Sequence, residues 1–452
     1  MLEYGAANLN LGLTNSLAAF LAKTRFADLD QAAVHAGQRG ILDWLGCVIA
    51  GSGHPTLSKL IDTLVDLGSV PNATVLCRDL KLGYVDAALV NGQMGHVLDY
   101  DDTHMGGVVL HNSSPTLAAL FALAEKQTIS GQDLLLAYAL AFEAGVRVGQ
   151  AAPGHRKCGW HLTGTLGTFS AAAAVGRLLG LDARRMSYAL GIAGTQAAGM
   201  QQNRGTSCKS FHAGRAASNG LLAALLASRG FDSSEEIVEG KRGFARIYSD
   251  VARPELLTEG LGARWEISRN GHKPYACGVL LHAAIDAVVR ASRESGFNPA
   301  QVDAIKLKVH PNAVLITGLV DPKTGLQSKF SISHTAAVAF IDRAAGITQY
   351  SDKRALADDV AGLRSKVSVS ADESFGEDQA WATVRAGDQS IEIRIEHATG
   401  TALNPMSDAD MEAKFLGNAV PVIGEQRAGA IRDLVWRINA VDDVRDLIRL
   451  CA

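Results

Sequence analysis

The chain has 452 residues, 47% of them hydrophobic and 20% charged, which is globular and too long for one ordinary core, so two domains are expected. Its 43 basic residues are scattered among 46 acidic ones for a net charge of −3, which argues against a nucleic-acid-binding surface. The longest apolar stretches, such as 134–148, carry Glu143 and Arg147 and fall short of the ~20 residues of a bilayer span.

At the N-terminus, Glu3 and the lack of a basic segment before an apolar run argue against a cleaved leader, so a soluble, cytoplasmic protein is expected. Asp28-Leu29-Asp30, followed by Ala32, Val34, Gly37, Ile41, Leu42, Leu45 and Val48, predicts a capped helix with an apolar stripe. Further helices are predicted over 84–98, 114–126, 132–151, 164–179, 182–199 and 213–228. The small residues Ser170 to Ala174 suit close helix packing. After Trp265 the texture changes. Residues 302–310, 366–370, 381–385 and 390–397 alternate apolar and polar with period two, as half-buried strands do. Helical patterns at 278–295 and 334–344 lie between them, and capped helices return from Ser407. The fold class read here is mainly α: a large, discontinuous all-helical domain (1–265 and 402–452) and a smaller α+β domain (266–401).

Six cysteines stand apart at 47, 77, 158, 208, 277 and 451 with no C-x-x-C pair, so neither a zinc site nor a redox dithiol is signalled. Polar residues instead gather in four places. The first is Asp99-Tyr100-Asp101-Asp102-Thr103-His104, then Gly106-Gly107 and His111-Asn112-Ser113-Ser114. Its carboxylates need compensation by water, cations or basic groups. They also suit a solvated helix end, with Ser113 or Ser114 capping the next helix. His111, on a Gly-flanked loop, is placed to titrate near neutrality and reach a substrate. The second is Gly159-Trp160-His161-Leu162-Thr163-Gly164-Thr165, where a helix start offers amides to a carboxylate and Thr163 and Thr165 add hydroxyls. His161 also fits as a mere cap.

The third run, Ser207 to Arg215, places Lys209 and Arg215 across a helix start, either as solvated charge or as a cleft lysine. The fourth is His272-Lys273-Pro274-Tyr275-Ala276-Cys277-Gly278, with His282 beyond it. Pro274 disfavours helix at Lys273. Two lysines and several histidines on separate segments form an inventory for holding a di- or tricarboxylate and exchanging its proton.

The runs N-G-x-x-x-H-x-x-D-Y-D-D-T, G-W-H-x-T-G-T-L-G, C-K-S-F-H-A-G-R-A-A and K-P-Y-A-C…H occur in that order, with R-I-E-H-A-T-G-T-A-L-N-P-M-S-D-A-D-M-E-A-K-F near the end. Together they resemble the MmgE/PrpD family of 2-methylcitrate dehydratases, cis-aconitate decarboxylases and an iminodisuccinate epimerase. The resemblance implies a helical domain with an α+β lid, a site in the cleft between them, a homodimer, and no metal or organic cofactor. It implies His111 and His161 as acid/base residues and Lys209 and Lys273 as carboxylate ligands. Asp99 and Thr103 would line the pocket, and His282 would bind substrate or brace the lid helix. Three departures weigh against decarboxylation: a longer loop between Thr103 and His111, Gly278 where decarboxylases carry histidine, and no tyrosine before Phe330. The activity implied is a hydro-lyase reaction of the 2-methylcitrate dehydratase type, with epimerisation or decarboxylation as alternatives on the same scaffold. Two other readings are a carboxylate-binding protein without catalysis and a metal-dependent hydratase using Asp99, Asp101, Asp102 and nearby histidines.

Overall fold

Asp30 accepts a hydrogen bond from the amide of Ala33, and behind that cap runs the first of seven helices that carry the site or pack around it in the computed structural model. The structure describes residues 12–452, so Glu3 and the leader reading lie outside the described residues. The seven are α1 (Gln31–Gly51), α2 (Tyr84–His96), α3 (Ser113–Ala124), α4 (Gly131–Ala151), α5 (Leu162–Leu178), α6 (Ser207–Ser228) and α7 (Asp408–Ile423).

Two units divide the chain. The first holds the residues up to Val97, Asp101–Asn270 and Ser407–Ala452; the second holds Leu98–Tyr100 and Gly271–Met406. The fold is mainly α, with nineteen α-helices among the described residues and a four-stranded sheet in the second unit.

In the first unit, α6 packs against both α2 and α5 through small residues. A Cβ on Gly214 would lie 2.2 Å from the carbonyl oxygen of Leu89, and one on Gly92 would lie 2.9 Å from the Cα of Gly214. Only glycine lets these two backbones meet. Ala171 to Ala174 of α5 are fully buried, as expected of a packing face. α4 is long and apolar enough to cross a membrane, but 94% of its apolar window is buried inside the protein. Its interrupting charges pair with each other, Arg147 Nε donating to Glu143 Oε2 at 2.7 Å with both side chains fully buried. It is a core helix.

In the second unit, β1 (Ala304–Val309) lies parallel to β2 (Val367–Ala371) and antiparallel to β3 (Ala380–Ala386), which pairs in turn with β4 (Gln389–Ile395). Ile305 stands opposite Val384, and Val384 opposite Ile391. Ile305, Leu307, Val309, Ala380, Ala382 and Val384 are buried while their neighbours on β1 and β3 are mostly wetter, so the period-two reading holds. Helix His282–Ser295 covers β3 and β4 with Ile285, Val288 and Val289.

Candidate active site

α2 ends at His96, and the chain returns at Asp101. His96 Nδ1 donates to the Asp101 carboxylate, 2.8 and 3.0 Å from its two oxygens, with both side chains fully buried. Ser114 donates to the same carboxylate at 2.8 Å. Asp102 accepts from Ser113 Oγ at 2.5 Å and Asn270 Nδ2 at 2.6 Å. Burial, with Asp101 next to it, pushes Asp102 up to about 7. The carboxylates expected to sit at a solvated helix end are therefore inside the protein. The two serines do not cap α3, whose cap position is Asn112; their hydroxyls instead donate to the aspartates.

His111 Nδ1 lies 2.8 Å from the carbonyl of Asp102 and 3.0 Å from Thr103 Oγ1. A carbonyl only accepts, so the network assigns the proton to Nδ1. The His111 amide points to Thr163 Oγ1 at 3.4 Å. Thr103 and Thr163, both fully buried, thus position this histidine.

His161 occupies the N-cap position of α5, yet its side chain makes no capping bond. Its Nδ1 instead meets the Nδ1 of His212, on α6, at 2.9 Å. Two facing Nδ1 atoms share one proton only if one of the rings is an acceptor there. Burial first, then the charge of Lys209, holds His161 well below the ordinary imidazole value; the same burial brings His212 down to about 4. Both rings are neutral at pH 7. Ring centroids of His96 and His111 are 4.7 Å apart, of His96 and His161 5.9 Å, and of His111 and His161 6.5 Å.

Two expectations at helix starts change. α5 begins at Leu162, earlier than its pattern suggested, so the amides of Gly164 and Thr165 are already bonded to the carbonyl of His161. The Thr165 hydroxyl, 3.3 Å from the carbonyl of Leu162, also turns back onto its own helix. Thr165 is therefore not presented to a ligand. α6 begins at Ser207 behind a Thr206 cap, which puts Lys209 in its first turn, half-buried, rather than on a loop.

In the second unit, Lys273 is 1% exposed, and its Nζ donates to the carbonyl of Asp99 at 3.0 Å and to Oδ1 of Asp99 at 2.6 Å. Asp99 adopts φ +52°, a left-handed conformation that Asp tolerates better than most residues. Lys329 donates to the carbonyls of Leu98 and Ala276, and Tyr100 Oη donates to Pro274 at 3.0 Å. These bonds hold residues 98–100 to the second unit. His282 is buried edge-on to Tyr275 at 5.4 Å.

The sequence reading gave no role to His96, His212 or Lys329, and Asp101 entered it only as a metal ligand. His96 stood in view inside the N-G-x-x-x-H run, read only as a helix tail. The metal reading loses its carboxylate ligands but not its nearby histidines: Asp99 is held by Lys273, Asp101 by His96 and Ser114, and Asp102 by Ser113 and Asn270. Among the described residues, the metal-capable group is instead His96, His111 and His161, with one donor atom of each within 4.8 Å of the others. No cysteine belongs to it.

Neutral imidazoles gathered at a helix start, with lysine charge beside them, are the apparatus of an acid–base enzyme. The chain belongs to the MmgE/PrpD family: residues 15–257 match the MmgE/PrpD N-terminal domain and residues 275–440 the MmgE/PrpD C-terminal domain. It is an enzyme of that family. It is similar to the cis-aconitate decarboxylase of Aspergillus terreus, at 29% identity over 98% of this chain and 96% of the relative. The mouse (Mus musculus) cis-aconitate decarboxylase is 26% identical over 97% and 93%. A cis-aconitate decarboxylase-like protein, oryM, of Aspergillus oryzae is 33% identical over 59% and 58%.

Proposed function

We propose that this family lyase acts at the carbon alpha to a carboxylate of a small di- or tricarboxylate, dehydrating a substrate of the 2-methylcitrate type through its histidines, with no metal or organic cofactor. The observation that carries the reading is the neutral His161 ring, bonded to His212 and in ring contact with His96 and His111. A neutral imidazole accepts a proton, and a second one beside it can return a proton.

Lys209 and Lys273 bind substrate carboxylates and offset the charge that develops on the enolate-like intermediate. His161 removes the carbon-bound proton at Nε2 while its Nδ1–H is held by His212. His111, in its doubly protonated form with Nδ1–H on the Asp102 carbonyl, gives its Nε2 proton to the departing hydroxyl, which leaves as water as the double bond forms. Decarboxylation is the second reading, favoured by the names of the relatives. There the bond to a carboxylate carbon breaks, carbon dioxide leaves, and a histidine protonates the carbon left behind.

The test is proton NMR in heavy water with 2-methylcitrate, citrate, cis-aconitate and iminodisuccinate. New vinyl signals from a hydroxy acid support dehydration, and loss of carbon dioxide from cis-aconitate supports the second reading. Deuterium uptake without a new skeleton would point to an epimerase, and binding without turnover to a non-catalytic protein. His161→Ala and Lys273→Ala variants that both keep most of the activity would sink the site assignment.

A further inference from the structure

Each of the three clustered histidines is oriented by a bond at Nδ1. His96 is held by the Asp101 carboxylate, His111 by the Asp102 carbonyl and Thr103, and His161 by His212. This is the arrangement that orients metal-binding imidazoles, in which a partner on one ring nitrogen fixes the tautomer and makes the other nitrogen the donor. The carboxylate–histidine pair His96–Asp101 is fully buried, and His96 Nε2 is buried without a hydrogen-bond partner. An imidazole nitrogen in that condition is unfavourable unless something fills the position.

We propose that His96, His111 and His161 form a binding site, through their Nε2 atoms, for a divalent first-row transition ion of the zinc class. In the acid–base reading given above, on which this consequence rests, such an ion is an antagonist. It occupies the Nε2 positions through which His111 gives and His161 takes a proton.

The distances suit this occupant. Tetrahedral zinc–imidazole bonds of about 2.0–2.1 Å set the nitrogens about 3.3 Å apart. Three donors within 4.8 Å of one another lie within about 2.8 Å of their common centre, so sub-ångström ring movements close the site. The donor set selects the ion class. Three imidazoles with no carboxylate or thiolate in the group disfavour magnesium and calcium, which take oxygen ligands, and suit zinc, cobalt, nickel or copper. Three protein ligands leave a fourth position for water or a substrate oxygen.

The experiment uses the chelator-stripped full chain titrated with Co²⁺ alone, followed by visible absorption. The expected result is one saturable equivalent with the d–d bands of a four- or five-coordinate nitrogen/oxygen site, no thiolate charge-transfer band, and displacement by Zn²⁺. Two variants, His96→Ala and His161→Gln, each weaken Co²⁺ binding more than about tenfold, as loss of a ligand demands. The second, which keeps a polar side chain at the position, covers the case in which the first fails to fold, as judged by circular dichroism. Wild-type affinity in a folded variant, a thiolate band, or no saturable binding at millimolar Co²⁺ overturns the proposal. Because the readout is absorption, the site stands or falls whether or not any carboxylate is turned over. If Co²⁺ binds as described but leaves turnover unchanged, the antagonist role is overturned and the proton-transfer assignment with it.

Discussion

Replacing Lys273 by methionine tests the buried pair that anchors residues 98–100. The methionine keeps the apolar stem but removes the ammonium, so the lost term is electrostatic. With Nζ 2.6 Å from Asp99 Oδ1, the gross attraction of two unit charges is about 6 kcal/mol at an effective dielectric constant of about 20. Most of that offsets desolvation. What the single substitution exposes is the cost of a carboxylate left in a buried site, about 3–5 kcal/mol. Asp99→Asn tolerates the same positive φ and leaves the amide oxygen and backbone carbonyl as acceptors for the ammonium, so its cost is smaller, about 1–3 kcal/mol. The double variant retains no unpaired charge and is expected to be less destabilised than the sum of the singles by about 2 kcal/mol. Hydrogen exchange of β1 in rising urea reads this for the second unit alone. Additive losses, or a Lys273→Met cost under about 1 kcal/mol, would refute the reasoning. Kinetics adds a second check: Lys273→Met raises KM for the carboxylate substrate, whereas Asp99→Asn, which strips the lysine of its counter-ion, lowers it.

Asp102→Asn should change the pH dependence of stability. Its folded value, about 7, stands above the unfolded ~3.9, so its contribution is full below pH ~4 and lost as pH rises to about 7. Wild type should thus lose about 4 kcal/mol relative to the variant across that window, and parallel denaturation profiles would count against a protonated Asp102. His155→Phe should stabilise. The ring is 1% exposed, neither nitrogen has a partner, Phe244 and Tyr248 meet it edge-on, and burial brings its value down to about 4. Keeping it neutral costs more as pH falls below ~6.5, so the gain should be about 2 kcal/mol larger at pH 5 than at pH 8 in thermal melts. Gly214→Ala should cost about 1–3 kcal/mol by forcing α6 away from Leu89, with a fall in kcat because α6 carries His212, the partner of His161; an unchanged melt would show that the helices part freely.

Much of the fold was legible because periodicity is local. β1 and β3 alternated in the sequence and alternate in burial, and the Asp30 cap stood where α1 begins. Helix starts were harder. At α6 the polar Cys208-Lys209-Ser210 hid a first turn that Thr206 caps, and at α5 the extra turn consumed the amides expected to bind a ligand. His111, His161, Lys209 and Lys273 were readable as residues with chemistry to do, but their partners were not. His96 with Asp101, and His161 with His212, meet through a turn and a helix crossing that leave no repeat in the sequence. Lys329 reaches the carbonyl of Leu98 across 231 positions, and nothing local to either announces it.

The pairing of α1 with α7 bears on how the protein is made. Asp43 is fully buried and its carboxylate is bonded to Lys414, 371 residues further along. A ribosome adding about 5–20 residues per second delivers that lysine roughly 20 to 75 seconds after the aspartate. Throughout that interval the nascent α1 has a carboxylate on the face it must bury, and no cation from α7 to meet it. The helical unit therefore cannot finish assembling as it emerges. Its early helices must wait, half-assembled, while the entire second unit is synthesised, which makes the protein's yield in a cell a matter of holding as much as of folding.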